Sequence, residues 1–164
     1  MRSFFGFTII TLFFLSCDDE RVYEKNMDFN SREWLISEKP EFEIEIPDTL
    51  QSYNLYCNLR NSLDYPFARI FITYYLKDSS GAVLEKKMIR QLLFDDKTGA
   101  PHGESGLGDI YDHRIPLKMH HRFPNSGKYK ISFEQFMRTD TLAGILAVGL
   151  RVERATKYEE QGRN

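Results

Sequence analysis

Two cysteines, one tryptophan and no apolar run long enough to span a membrane set the first limits on this 164-residue chain. If Cys17 is taken up by acylation, Cys57 has no partner and an internal disulfide is excluded. Cys57 itself lies in an alternating segment on the same side as Tyr53, Leu55 and Leu59, which reads as a buried small hydrophobe and not as a nucleophile. Excess positive charge is also missing. The chain carries 22 Lys and Arg against 24 Asp and Glu, and removing residues 1–17, whose only charge is Arg2, leaves a net charge of −3. Nucleic-acid binding and attachment through a polybasic membrane patch both need clustered basic residues, so neither is expected. No internal repeat, low-complexity tract or sustained helical periodicity appears. Aromatic residues, in contrast, are plentiful, with 13 Phe and 9 Tyr, and such residues dominate core burial.

The N-terminus is the most informative segment present. Arg2 precedes an apolar run from Phe4 to Phe14, Leu15-Ser16 leads into Cys17, and Asp18-Asp19-Glu20 follows at once. The run falls short of the roughly 20 residues a spanning helix needs. Charge, apolar segment, small residue and cleavage point in that order make a secretory signal. A cysteine at the cleavage point is its bacterial lipoprotein form. The mature protein is therefore expected to begin at Cys17 and to hold the membrane through lipid on that residue, each buried methylene contributing about 0.8 kcal/mol. The acidic residues after it either keep a tether solvated or help sort the protein to the outer membrane or cell surface.

Residues 18–32 read as a polar tether, although Val22-Tyr23 and Met27–Phe29 could pair as a short first strand. Residues 33–154 form the domain, and 155–164 a polar tail. Glu41–Ile46 alternates strictly, with Phe42, Ile44 and Ile46 on one face and glutamates on the other, the pattern of a half-buried antiparallel strand. Tyr53–Leu59, Lys128–Glu134 and Ile145–Glu153 repeat it, and Ile70–Leu76 reads as a central strand. Val83–Phe94 is ambiguous, because Leu84, Met88 and Leu92 have helical spacing; its neighbourhood favours a strand. About eight strands separated by turn signals predict an all-β fold, an antiparallel β-sandwich or jelly roll. Residues 95–127, with Gly99, Gly103, Gly106 and Gly108, read as one long loop, and loops of that length are usually functional or disordered.

That segment also gathers His102, His113, His120, His121, Glu104, Asp109 and Asp112, a donor set suited to zinc. The spacing opposes a metal site: there is no HExxH, and adjacent His120 and His121 point to opposite faces of a strand. His120, His121 and Arg122 read better as a polar rim. Gly106 and Gly108 lack the lysine and helix of a phosphate loop. Ser105 in Glu104-Ser105-Gly106 is not a nucleophile elbow. Asp95-Asp96 and Glu159-Glu160 read as solvated charges. The chain is thus expected to have no catalytic residues, metal or cofactor. A glycan-binding sandwich is the rival reading, with Trp34, Tyr65, Tyr75 and Tyr111 available for stacking.

Several segments together resemble one family. These are the short lipoprotein signal ending at Cys17, Leu93-Phe94-Asp95 running into Thr98-Gly99, Gly106-Leu107-Gly108-Asp109-Ile110, and Gly127-Lys128-Tyr129. The most specific is Gln135-Phe136-Met137-Arg138, continuing to Leu142-Ala143-Gly144-Ile145 and on to Glu153. The chain resembles the gliding-motility lipoprotein GldH family of the Bacteroidetes, where relaxed residues such as Phe14 before the lipidated cysteine are common. The resemblance implies a non-enzymatic, outer-membrane-anchored component of gliding tied to type IX secretion, acting on other envelope proteins by contact. Whether it faces the periplasm or the surface is left open. Gly144 and Gly149 would serve turn geometry and close strand packing, while Arg151 and Glu153 would be exposed to a partner. The expected interaction surface is the loop 99–123, with Arg114, His120, His121 and Arg122, joined by Arg151.

Overall fold

The computed structural model describes residues 20–156, which contain eleven strands and no helix. In chain order these are β1 (Arg21–Asp28), β2 (Glu33–Leu35), β3 (Glu41–Ile46), β4 (Tyr53–Ser62), β5 (Arg69–Lys77) and β6 (Val83–Leu92). There follow β7 (Glu104–Ser105), β8 (Ile110–His121), β9 (Gly127–Gln135), β10 (Thr141–Ala143) and β11 (Ile145–Arg154). A five-stranded sheet runs β1-β11-β4-β8-β7, a four-stranded sheet runs β3-β9-β5-β6, and β10-β2 make a small third sheet. All pairings are antiparallel. The two main sheets face each other as a sandwich, the class the sequence predicts, with more strands than the eight expected.

Period-two alternation builds the core. Phe42, Ile44 and Ile46 of β3, Tyr129, Ile131 and Phe133 of β9, and Ile70, Ile72, Tyr74 and Leu76 of β5 supply one inner layer. Tyr53, Leu55, Cys57 and Leu59 of β4 and Val148, Leu150 and Val152 of β11 supply the other. Trp34, fully buried, stacks on Phe29 with centroids 5.6 Å apart, so the small sheet closes one end.

Three readings are corrected or settled by this architecture. Residues 21–28, assigned to a polar tether, form β1, paired with β11 along its length. Only Val22 and Tyr23 are half-buried there, because an edge strand rests one end on the core and shows no clean alternation. The stretch 95–127, read as a loop, contains a 12-residue strand, β8. Its inward residues His113, Ile115 and Leu117 do alternate with Arg114, Pro116 and Lys118. Pro116 disguises the pattern; it is tolerated opposite Tyr56, where the β4–β8 register slips and β8 has run past β7. Val83–Leu92 is a strand. The four-residue spacing of Leu84, Met88 and Leu92 is also even, so the three lie on one face of it.

Strand directions give the sandwich two poles. At the entry pole, where Arg21 starts β1, lie Arg154, Tyr53 and His121 with the turns leaving Ile46 and Lys77. At the far pole lie Asp28, Ser62, Ile110, Gln135 and Leu92.

Candidate functional site

The residues expected to form one interaction surface are distributed over two regions. His120, His121 and Arg122 lie at the entry pole. The His120 backbone adopts a positive φ of 52°, and its N–H donates to Asn54 Oδ1 at 2.9 Å, which bends the end of β8. The His121 ring meets Phe123 edge-on at 4.6 Å. Burial, helped by nearby Lys118 and opposed by Glu85, holds the His121 imidazole below its usual pKa. Arg122 Nε donates to Ser52 Oγ at 3.2 Å. Together with Leu50, Ser52 and Thr156, His120 and Arg122 line a shallow depression of about 120 Å³.

Arg114 and Arg151 belong to the outer face of the five-stranded sheet. Arg151, expected to be exposed, retains only 7% of its accessible surface. Alternation does turn it outward from the core, but β1 lies alongside and its Glu24 side chain, with Glu153, hems it in. Its Nη1 donates to Glu24 Oε2 at 2.7 Å, and its Nε bonds Glu153. Glu24 also accepts from Arg21 at 3.1 Å and from Asn58 at 2.9 Å. Burial works to raise the Glu24 pKa, and these donors outweigh it, leaving the carboxyl below its ordinary value. Arg114 lies 3.7 Å from Glu153 and over the Tyr56 ring, and Arg60 grips Asp112 with two hydrogen bonds. A polar depression of about 210 Å³ opens among Glu24, Asn58, Arg60, Asp112 and Arg114. Its charges answer one another, which makes it a clasp between strands.

The histidines do not converge. His113 is buried, with Nε2 2.8 Å from Asn61 Oδ1, and burial lowers its pKa. No group of three or more His, Cys, Asp or Glu side chains is placed to hold a metal among the described residues. Of the aromatics considered for stacking on a glycan, Trp34 and Tyr65 are buried. Tyr75, whose hydroxyl donates to Glu134 at 2.5 Å, and Tyr111 lie on different sheets, so no shared platform forms. Cys57 is wholly buried and burial pushes its thiol pKa far up. Native protein should therefore resist thiol reagents, and Cys57→Ala should lose about 1 kcal/mol in urea unfolding through the small cavity left.

What the sequence left scattered, the fold assembles at the far pole. Leu93 and Phe94 donate backbone N–H groups to Ala68 O at 2.8 and 3.0 Å, and Leu63 N–H reaches Asp109 O at 3.0 Å. Asp95 Oδ1 caps its own turn through the N–H groups of Lys97 and Thr98. Tyr65 packs between Phe67 and Phe94 and beneath Gly144. Arg32 pairs with Asp109 at 3.4 Å. On this braced base Leu63, Phe67, Leu107 (90% exposed) and Phe136 (66%) face solvent. Nearby, a groove of about 720 Å³ is lined by Phe67, Phe71, Met88, Phe136, Met137 and Arg138. The signal was in the chain: the segments 93–99, 106–110, 135–138 and 142–144 all end here.

Residues 21–152 match the family described as GldH lipoprotein. The gliding motility lipoprotein GldH homolog of Christiangramia forsetii is 33% identical, over 94% of this chain and 99% of its own. The gliding motility lipoprotein GldH of Flavobacterium johnsoniae is 28% identical, over 88% of this chain and 92% of its own. A solved arabinose-bound α-L-arabinofuranosidase aligns with a TM-score of 0.40 at 12% identity, over 77% of this chain and 19% of that one. The family match spans the whole sandwich from the first strand to the last, and the chain belongs to the GldH lipoprotein family.

Proposed function

We propose that this chain is a non-enzymatic component of the gliding-motility machinery, linked to type IX secretion and fixed to the outer membrane by acylated Cys17. It acts through contacts with other envelope proteins made at the far pole. The two relatives, both named as gliding motility lipoproteins, support a lipoprotein role in gliding. Cys17 precedes the described residues, and four chain steps separate it from Arg21, where β1 begins. A fully extended chain covers about 3.5 Å per residue, so the entry pole stays within about 14 Å of the acylated residue. Rising at about 3.3 Å per residue, β4 carries the far pole about 30 Å from the entry pole. This separation carries the reading. The rim of His120, His121 and Arg122 lies at the membrane end, and Leu107 and Phe136, exposed on a rigid base, lie at the end free to meet a partner.

The anchor is tested by Cys17→Ala, which should abolish incorporation of labelled fatty acid and release the protein from the membrane fraction. Label retained by the variant would refute it. The contact pole is tested by Leu107→Glu with Phe136→Glu. Both side chains are exposed, so folding should hold, membrane association should persist, and spreading on surfaces should be lost. Normal gliding by that variant would overturn the assignment of partner contact to the far pole.

A further inference from the structure

Strand β6 is the outermost strand of the four-stranded sheet and pairs with β5 alone. Its ten residues present one row of backbone N–H and C=O groups to solvent, and no proline interrupts it. Exposed edges of this length template the addition of another strand, and lysines commonly guard them. Lys86, Lys87 and Arg90 could serve as guards and nothing more. The groove beside the edge goes beyond that role. Met88 (52% exposed), Phe71 and Phe67 form its floor and walls on the same face as Lys86 and Arg90. Its far wall is fixed, since Phe136 N–H donates to Phe71 O at 2.8 Å and the Phe71 N–H lies 3.5 Å from Met137 Sδ. Arg138 stands at its rim.

Charge defines the occupant. In a chain of net negative charge, β6 carries Lys86, Lys87 and Arg90, and its single acid, Glu85, is engaged by Lys118 and Tyr74. We propose that β6 and the adjoining groove bind an extended acidic segment of a protein partner as an added strand. The main-chain ladder supplies affinity, an apolar side chain in the groove supplies specificity, and carboxylates meet Arg90 and Arg138, the general scheme of strand addition. A second copy fits poorly, because two β6 edges would set like charges side by side. The inference rests on the contact reading above and names the chemistry of its partner.

A strand-length peptide that sets a Leu between two Glu on one face (Glu-Thr-Leu-Thr-Glu), with Thr on the other, fluorescein-labelled, is the probe, titrated against the acylated protein in detergent micelles. Binding is expected, together with slowed hydrogen exchange at the β6 amides and no binding by the peptide with Lys in place of Glu. Arg90→Glu with Arg138→Glu should weaken binding at least about tenfold, equivalent to 1.4 kcal/mol. Phe136→Ser, at an exposed site, should weaken it while leaving the charges in place. Absence of binding, binding without protection of β6, or equal affinity in the charge-reversed variant would overturn the proposal, as would capture of phosphatidylglycerol vesicles in place of the peptide. Failure here with gliding still lost in the Leu107 and Phe136 variant would sink the strand-addition mode and leave the contact pole standing.

Discussion

Gly144→Ala should destabilise the domain by on the order of 3 kcal/mol, among the largest effects expected of any single methyl group in this chain. Gly144 links β10 to β11 with a φ of +77°, a region that L side chains enter at a cost of about 1 kcal/mol or more. An added Cβ would stand 2.4 Å from Tyr65 N and 2.6 Å from Tyr65 Cα. Those are backbone atoms, and they cannot swing aside as a flexible side chain would. The same residue donates its N–H to Arg32 O at 2.9 Å and accepts from Ser62 N–H at 2.9 Å, so it is bonded at once to the β1–β2 turn and to the end of β4 that leads into the loop of Tyr65. Relieving the clash means moving the backbone at Asp64 and Tyr65, and with it the ring on which Phe67 and Phe94 pack. A domain of this size shifts by several degrees per kcal/mol, so the melting temperature should fall by roughly 10 °C. Circular dichroism of the mature protein measures it. A change within about 0.5 kcal/mol of wild type, the range of ordinary surface substitutions, would show that the crossing of these loops is loose.

The contrast between Gly144 and the rim residues shows what kind of information the chain carries. Strands half-buried on one face announce themselves: Glu41–Ile46 and Lys128–Glu134 alternate because one side meets core and the other meets water. Strand β1 was hidden because its residues contact the sheet through backbone pairing with β11 and bury little side chain. Arg151 was read correctly as turned away from the core and incorrectly as exposed, since alternation gives the face and says nothing about which strand lies alongside. The expected interaction surface is divided over two regions for a related reason. His120, His121 and Arg122 adjoin in sequence and so looked like a site. The far pole is built from six separate connections, and only pairing registers bring those together. The motif segments were legible as words; their common location was not.

Replacing Arg151 by Met should cost about 3 kcal/mol and should change how the domain responds to acid. Removing one partner from a buried ionic cluster leaves the others desolvated without compensation, an effect of about 3–5 kcal/mol in fully buried cases. Here Glu24 keeps Arg21 and Asn58, and Glu153 keeps Arg114 at 3.7 Å, which places the loss at the lower end. The pH dependence follows from Glu24. Its folded-state pKa lies below the ordinary 4.5, so it contributes stability above that value and loses it as pH falls through the folded pKa. Wild-type stability should therefore drop on acidification below about pH 4.5, and Arg151→Met should drop less steeply, because Glu24 then titrates nearer its ordinary range. Glu41, Glu85 and Glu134, each also lowered by lysines, contribute slopes of the same sign to both proteins, so the difference between the two curves isolates the clasp. Parallel curves would refute a role for Arg151 in holding Glu24 ionised. The structural consequence concerns the anchor. Glu24 lies on β1 and Arg151 on β11, so the pair fastens the strand that, under the proposed anchoring, joins the domain to Cys17. With it broken, β1 should open before the core does, exposing Arg21 and Lys25 to trypsin at concentrations that leave wild type intact and lengthening the tether by up to the eight residues of β1. Cleavage there should shed an otherwise folded domain from membranes, and a variant as resistant as wild type would mean that backbone pairing alone holds the strand in place.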